Sequence, residues 1–503
     1  MGLVLVLTWL LGQGVGWGAV GKEFVIVSFA TEPALAYDPA NQRFLMVYDG
    51  YRNLRVQGQL LNAEGNRVGA NFPISSLVSD ECCVRAKVVY DSVNRRFLVV
   101  WTQMDSIWGQ LVNADGTLLG TNLAISTSVS LKGSPTAAYD PVSQSFLVVW
   151  TGDLVPAFGG HIYGRRMGAD GSLLGDEIAI DKETGMQSRP RVDYDSVNQR
   201  FLVAYHDGDQ ISGRLVGADG SLVGAKFQIA TSVEGPDAVV YDTAHGRFLV
   251  VWSTGDDYHV WGQLVNADGT PFLGKLRIST TAPPIDFSVA AAYDPARQRF
   301  LVVWLVWSTD PWKRGYYGQQ VNPDGTLFLD RELLLPTTAD TRYASALAYD
   351  AANQRFLMAW ETYNGETTFR DIYGLLLAGL PLRPLALLSL NAESFRPGDP
   401  LNLDVRVLTP PHASPAGHWS FEAAAWLKTP LDPPADLLSL LNIGGPGHPV
   451  TLPPGSDLTY PLLHLPVIPP VPAGSYRFGI RLNHPITLEE MSLEEMPFEV
   501  ISP

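Results

Sequence analysis

Residues 241–280 read YDTAHGRFLVVWSTGDDYHVWGQLVNADGTPFLGKLRIST, and this stretch decides the fold because the chain repeats its pattern seven times. Its Tyr-Asp pair recurs at Tyr37-Asp38, Tyr90-Asp91, Tyr139-Asp140, Tyr194-Asp195, Tyr241-Asp242, Tyr293-Asp294 and Tyr349-Asp350. The steps between copies, 53, 49, 55, 47, 52 and 56 residues, are irregular, yet the offsets inside each copy are fixed. A Phe stands six residues after every Asp (Phe44, Phe97, Phe146, Phe201, Phe248, Phe300, Phe356). An aromatic follows four residues later (Tyr48, Trp101, Trp150, Tyr205, Trp252, Trp304, Trp360). Fixed offsets within a variable period describe a rigid hairpin core with loops of adjustable length.

Each copy parses into four strands. The first ends at Tyr-Asp, where Asp followed by Pro or Ser suits a type I turn. The second, Phe-Leu-Val-Val-Trp or a near variant, is apolar on both faces and needs cover on both sides. A third carries Gly-Gln or Gly-Arg and ends in a turn such as Asn113-Ala114-Asp115-Gly116, and a fourth runs out to Ile125-Ser126 or its equivalent. The Asp-Gly box holds too few alternating oxygens for a calcium loop, and a hairpin turn with a left-handed Gly accounts for it.

A four-stranded unit of about 50 residues, apolar on both faces and repeated, predicts a seven-bladed β-propeller. The seventh copy stops after Ile372-Tyr373-Gly374 without its turn or fourth strand. Meanwhile residues 21–26, GKEFVI, match the fourth-strand segment GAKFQI at 224–229 with Lys displaced by one position. Residues 22–28 are therefore expected to complete blade seven, closing the circle and covering its open edge. The frame Phe-Leu-Val-Val-Trp with Gly-Gln-x-Val-x-x-Asp-Gly-x-x-Leu-Gly resembles the propeller repeats of poorly characterised secreted bacterial proteins, over residues 22–380. That resemblance implies the fold and export, and it carries no catalytic motif to transfer.

Composition agrees with an all-β chain: of 503 residues only 17% are charged, with 47 Gly and 37 Pro, a mixture that favours short strands and tight turns. The expected division is a leader at 1–20, a propeller at 21–380 and a second domain at 381–503. The leader reads as an export signal, with an apolar run from Leu3 to Leu11 before Gly16, Gly18 and Ala19. A secreted, periplasmic or cell-surface location follows, with no membrane span because no other apolar stretch is long enough. A net charge of -16 argues against nucleic acid or an anionic membrane as partner. Two adjacent cysteines, Cys82 and Cys83, suit either a strained disulfide in an oxidising compartment or a pair of reduced thiols. Beyond the repeats, Leu385–Leu390, Leu401–Leu408, His418–Leu427, Leu458–Leu465, Ser475–Leu482 and Pro497–Ile501 read as strands of an immunoglobulin-like β-sandwich. Pro433–Leu441 reads as one short helix.

Residues shared by every copy are explained by architecture, so function is sought where copies differ. Loops on the top face of such a ring bring His206, Asp207, Asp256, Asp257, Tyr258, His259, Trp307, Trp312 and Glu361 forward as candidates to hold a sugar by stacking and hydrogen bonds, or a cation by carboxylates, with Trp307 and Trp312 the candidates to contact a partner. At one, three and five residues before the repeat Tyr most copies are small or neutral, but blade two has Arg85 and Lys87, and blade four has Arg189 and Arg191. Those four are candidates to bind an anion at the channel mouth, or else to pair with nearby acids such as Asp193. No metal ligand spacing, nucleophile elbow or phosphate loop is present, so neither a cofactor nor catalytic residues are expected. The leading expectation is a monomeric, non-catalytic binding or scaffold protein for a carbohydrate or an extracellular protein. A carbohydrate-active hydrolase or lyase using top-face carboxylates is the alternative, and a structural cell-surface module is the third reading.

Overall fold

The computed structural model describes residues 19–50, 55–76, 85–126, 130–155, 159–183, 185–232, 234–255, 258–279, 285–306, 315–336, 342–363 and 370–378 of one compact unit. In a second unit it describes 385–390, 394–395, 400–408, 419–428, 436–443, 450–452, 457–466, 474–483 and 490–500. Every described element is a strand, and no helix long and apolar enough to cross a membrane occurs among the described residues.

The first unit opens with β1 (Ala19–Ser28), which starts three residues earlier than the expected strand at 22–28. Four-stranded antiparallel meanders follow. The first is β2 (Ala30–Asp38), β3 (Arg43–Gly50), β4 (Arg55–Asn62) and β5 (Arg67–Pro73), paired in chain order. The second is β6 (Lys87–Asp91), β7 (Arg96–Gln103), β8 (Ser106–Asn113) and β9 (Leu118–Ala124). Next come β10 (Gly133–Asp140), β11 (Ser145–Val155), β12 (Gly159–Gly168) and β13 (Leu173–Asp181). The fourth meander is β14 (Gln187–Asp195), β15 (Arg200–Asp207), β16 (Gln210–Gly217) and β17 (Leu222–Thr231), joined to the third by one bridge, Gly160 to Gln187. The fifth is β18 (Ala238–Asp242), β19 (Arg247–Ser253), β20 (Val260–Asn266) and β21 (Pro271–Arg277). The sixth is β22 (Ile285–Asp294), β23 (Arg299–Val306), β24 (Gly315–Val321) and β25 (Leu327–Pro336). Last are β26 (Arg342–Asp350), β27 (Arg355–Tyr363) and β28 (Arg370–Ala378), and the fourth strand of that sheet is β1, antiparallel to β28.

The second strand of each meander is buried on both faces: Phe97, Leu98, Val99, Val100 and Trp101 are all 0% exposed. Their cover comes from neighbours, because each apolar cluster draws on two adjacent meanders. One cluster joins Ile26, Tyr37 and Phe44 with Leu357, Ala359 and Ile372, so the first and last meanders share a core. The inner strands β2, β6, β10, β14, β18, β22 and β26 neighbour one another in that order, and β26 neighbours β2. Among the described residues no sheet closes on itself by hydrogen bonds; the cycle is completed by packing and by β1.

The Tyr-Asp pair is the joint between neighbours. Asp195 is fully buried, and its Oδ1 accepts the Val197 and Asn198 N–H groups at 2.9 Å each while Oδ2 accepts Asn198 Nδ2 at 2.8 Å. The Tyr of the next meander reaches back to it: Tyr241 Oη donates to Asp195 Oδ1 at 2.6 Å, as Tyr90 Oη does to Asp38 Oδ1 at 2.6 Å. At the other junctions the buried hydroxyl faces the preceding Asp in looser geometry, including Tyr37 facing Asp350 across the ends of the cycle. Burial, followed by the facing carboxylate, pushes these phenols above their ordinary titration range.

The Gly-Gln pair of the third strand repairs a gap in the ladder. Register between third and fourth strands slips at Gly58/Leu60, Gly109/Leu111 and Gly262/Leu264, where the outer strand bulges. The fourth-strand glycine at this bulge is left-handed (Gly69, Gly120, Gly175 and Gly224, φ 71, 69, 76 and 68°) and has open space around it, so backbone conformation selects it. Gln110 Nε2 satisfies the freed carbonyls of Leu111 and Leu119 at 3.0 and 2.9 Å; in the third meander Arg165 takes this role, donating to Gly175 O at 3.1–3.2 Å. Gln110→Ala is expected to cost about 1–3 kcal/mol by stranding those carbonyls, read as a lowered melting temperature, whereas Gln110→Arg should keep most of the stability.

In the second unit β29 (Leu385–Leu390), β31 (Pro400–Leu408) and β35 (Asp457–Pro466) form one antiparallel sheet, with β31 central. A second sheet has the order β30 (Ser394–Phe395), β37 (Glu490–Val500), β36 (Gly474–Asn483), β32 (Trp419–Lys428), β33 (Asp436–Ile443), with β34 (Val450–Leu452) also paired to β32. Of the helix expected at 433–441, residues 433–435 lie outside the described residues and 436–441 are strand instead: β33 lies antiparallel to β32, with Ala423 opposite Ile443. Pairing to a neighbouring strand overrides the helical preference of a Leu-rich segment.

Candidate functional site

At the axis of the first unit lies a cavity of about 600 Å³ lined by residues from all of its meanders. The residues five positions before the repeat Tyr are re-aimed at its rim by a bulge. Glu32, Arg85, Ser134 and Arg189 all hold a left-handed backbone (φ 53, 44, 54 and 51°). In the first, third and fourth meanders the ladder slips at that point. Left-handed non-Gly residues are uncommon, and bulges beside sites commonly serve to redirect a side chain.

Arg85, Lys87, Arg189 and Arg191, drawn from two meanders about 100 residues apart in the chain, all line this cavity. They form two tiers. Arg85 and Arg189 are 62% and 59% exposed and each has an acid, Glu32 at 3.8 Å and Glu234 at 3.2 Å. Such exposed pairs contribute about 0–1 kcal/mol each. Lys87 and Arg191 sit one strand-repeat inward. Arg191 donates Nε to Asp237 O at 2.7 Å and Nη1 to Pro190 O at 2.9 Å, both neutral carbonyls. Burial, then the like charge of Arg191, lowers Lys87 to about 8. Burial likewise lifts Asp237 to about 6 against the pull of Arg191 and of Ser253, whose N–H and Oγ donate to its Oδ2 at 2.8 and 2.9 Å. Asp193, considered above as a partner for the cations, instead accepts Tyr194 N and Tyr241 N at 2.8 Å each, and burial raises it to about 6.

Among the described residues, none of the loop candidates lines this cavity. Glu361 is 0% exposed, its Oε2 accepting Glu32 N at 2.7 Å and its Oε1 held by Arg370; this clasp between the first and last meanders turns the carboxylate inward. Burial raises its pKa, opposed by those two donors. Asp207 is drawn into a hub with Lys226, which lies 3.1 Å from it, 3.2 Å from Asp181 and 2.7 Å from Glu183. Burial opposes ionisation of Asp207, but donors from Gln187, Lys226, Ser212 and Gln210 outweigh it and lower its pKa. His206 Nδ1 lies 3.3 Å from Ser188 Oγ. His259 is buried, with Nδ1 3.0 Å from Ser279 Oγ. Tyr258 is 50% exposed. Asp256, Asp257, Trp307, Trp312, Cys82 and Cys83 lie outside the described residues.

Sequence reasoning passed over Glu234 and Asp237. Asp237 stands four residues before Tyr241, off the alternating stripe, and reaches the cavity because Gly235-Pro236 interrupts the strand phase just before β18. The Gly-Pro dipeptide was the available signal.

The structure thus defines an all-β repeat protein with a polar axial cavity. No family model and no curated protein matches the chain. Among solved structures it is similar to a protein of unknown function from Dyadobacter fermentans, at 13% identity and TM-score 0.42, covering 72% of this chain and 99% of that one. It is also similar to the Dos1 propeller (10% identity, TM-score 0.41, 71% of this chain, 94% of that one). A third is the WD40 domain of Toxoplasma gondii coronin (10% identity, TM-score 0.46, 74% of this chain, 88% of that one).

Proposed function

We propose that the chain is an exported, non-catalytic binding protein: a closed seven-bladed propeller whose cavity-bearing face takes a carbohydrate, with a C-terminal β-sandwich as a second module. The observation that carries this reading is the axial cavity itself, about 600 Å³, within the range of small-ligand sites and lined by convergent polar groups. Among the described residues the buried carboxylates Glu361 and Asp207 are occupied by protein donors, whereas the cavity offers accessible charge. Secretion or cell-surface display and a monomeric state belong to the same reading.

A hydrolase or lyase is the second reading, favoured by one observation: Asp237, raised to about 6, lines the cavity and has the character of a general acid. Screening the full chain on an array of neutral and acidic glycans, followed by analysis of the bound glycans for shortened products, separates the two. Binding without products, abolished by Ser134→Trp at the rim, is expected. Cleaved products would move the protein to the second reading, and a blank array would overturn the carbohydrate proposal.

A further inference from the structure

We propose that Lys87 and Arg191 form the floor of a site for one small oxyanion, the carboxylate of an acidic sugar or a phosphate, admitted between the rim arginines Arg85 and Arg189. This deepens the binding reading above and rests on the same cavity. The two tiers differ in how their charge is met. Each rim arginine has a carboxylate within 4 Å, Glu32 or Glu234. Among the described residues Lys87 has neither an ion pair nor a hydrogen-bond acceptor, although it lines the cavity. Arg191 spends Nε and Nη1 on neutral carbonyls, which fix the guanidinium plane, and its Nη2 has no hydrogen bond among the described residues. Asp237, the acid that acts on Arg191, has its Oδ2 taken up by Ser253.

Asp237, Glu32 and Asp49 act on these two cations through space, but among the described residues neither cation has a carboxylate in ion-pair contact, and an oxyanion between them adds the charge-assisted contacts they lack. The space fits such a ligand. Ser134 and Pro135 lie between the cationic meanders and bring no charge, while the opposite wall is neutral, with Ser288, Ala290, Ala291 and Ser345. A small body with hydroxyls therefore has neutral ground beside the charged floor. The chain's net charge of -16 disfavours a long polyanion and leaves a small acid that enters the cavity.

The test is calorimetric titration of the full chain at pH 7 with D-glucuronate, inorganic phosphate and D-glucose. Glucuronate or phosphate is expected to bind, the stronger of the two naming the source of the oxyanion. Lys87→Met is expected to weaken that binding about ten- to a hundredfold, the loss of one charge-assisted contact. That variant should keep the melting temperature, since Lys87 is half-buried and has no ion pair among the described residues to lose, so lost binding is not lost folding. A pH series gives an independent readout. Arg191 and Arg85 favour loss of the Lys87 proton, Glu32 and Asp49 oppose it, and the ammonium titrates at about 8. Wild-type affinity should therefore fall about tenfold between pH 7 and 9.5, and Lys87→Arg should abolish that fall.

Failure of both anions to bind at about 10 mM, a free energy of about -3 kcal/mol, would overturn the inference. So would equal binding of glucose and glucuronate, or unchanged affinity in Lys87→Met. Glycan binding indifferent to Lys87→Met would remove this site while leaving the broader binding reading intact; glucuronate binding with a blank array would do the reverse.

Discussion

Deleting residues 22–28 is expected to lower the melting temperature by roughly 10 °C or more, or to abolish a single cooperative transition. The strand supplies Ile26 and Val27 to the shared core, 1% and 7% exposed, with Phe24 packed against it. Each such side chain is worth about 1.5–3 kcal/mol of burial, a large share of the roughly 5–15 kcal/mol by which a folded domain exceeds its unfolded state. The deletion also bares the edge of β28, which pairs with β1 from Ala19↔Leu377 to Ser28↔Asp371, and exposed edges invite association. Calorimetry with size-exclusion chromatography reads both effects. An unchanged melting temperature in a monomer would show that β1 is dispensable and would remove the closure argument. Ile26→Ala, at about 2–4 kcal/mol, gives the same direction without shortening the chain.

Asp195→Ala is the second large effect, expected to cost about 3–5 kcal/mol. Its carboxylate takes four hydrogen bonds, from Val197 N, Asn198 N, Asn198 Nδ2 and Tyr241 Oη; the buried Tyr241 hydroxyl left without a partner costs about 1–3 kcal/mol, and each of the partly exposed turn donors adds about 0.5–1 kcal/mol. Tyr241→Phe removes one of these bonds and leaves the turn intact, so about 0.5–1.5 kcal/mol is expected. Denaturant unfolding of both single variants and the double variant measures the coupling between adjacent meanders. If Asp195→Ala proved no worse than Tyr241→Phe, the carboxylate would be a surface turn residue and the joint would lie elsewhere.

The meanders were legible because periodicity and fixed offsets encode hairpins directly: Tyr, Asp, Phe and the later aromatic all fall where turns and buried strands require them. The partner of Tyr was not legible, since the contact from Tyr241 to Asp195 crosses 46 residues. Nor was the purpose of Gly-Gln, whose amide answers a bulge that no local pattern announces. Among candidate site residues, the stripe before the repeat Tyr located Arg85, Lys87, Arg189 and Arg191 on one cavity, because strand alternation is a local rule. The surroundings of two loop residues were not legible, for the converse reason. Glu361 and His259 carry ligand-like chemistry, but whether such a group faces water or a neighbouring backbone N–H is set by tertiary packing. The helix expected at Pro433–Leu441 failed in the same way over its described residues 436–441, whose leucines suit a helix until β32 offers a partner.

The pairing of β1 with β28 also imposes a schedule on synthesis. Phe29 N reaches Asp371 Oδ1 at 3.1 Å across 342 residues, so at about 5–20 residues per second the ribosome releases the second partner roughly 17–70 s after the first. Until then β1 is an orphan, with an apolar face that any passing strand edge can capture. Its Lys22 and Glu23 are charges well placed to slow such capture. A chaperone that holds extended apolar segments would therefore be expected to act on β1, and to let go only when β28 is there to pair with it.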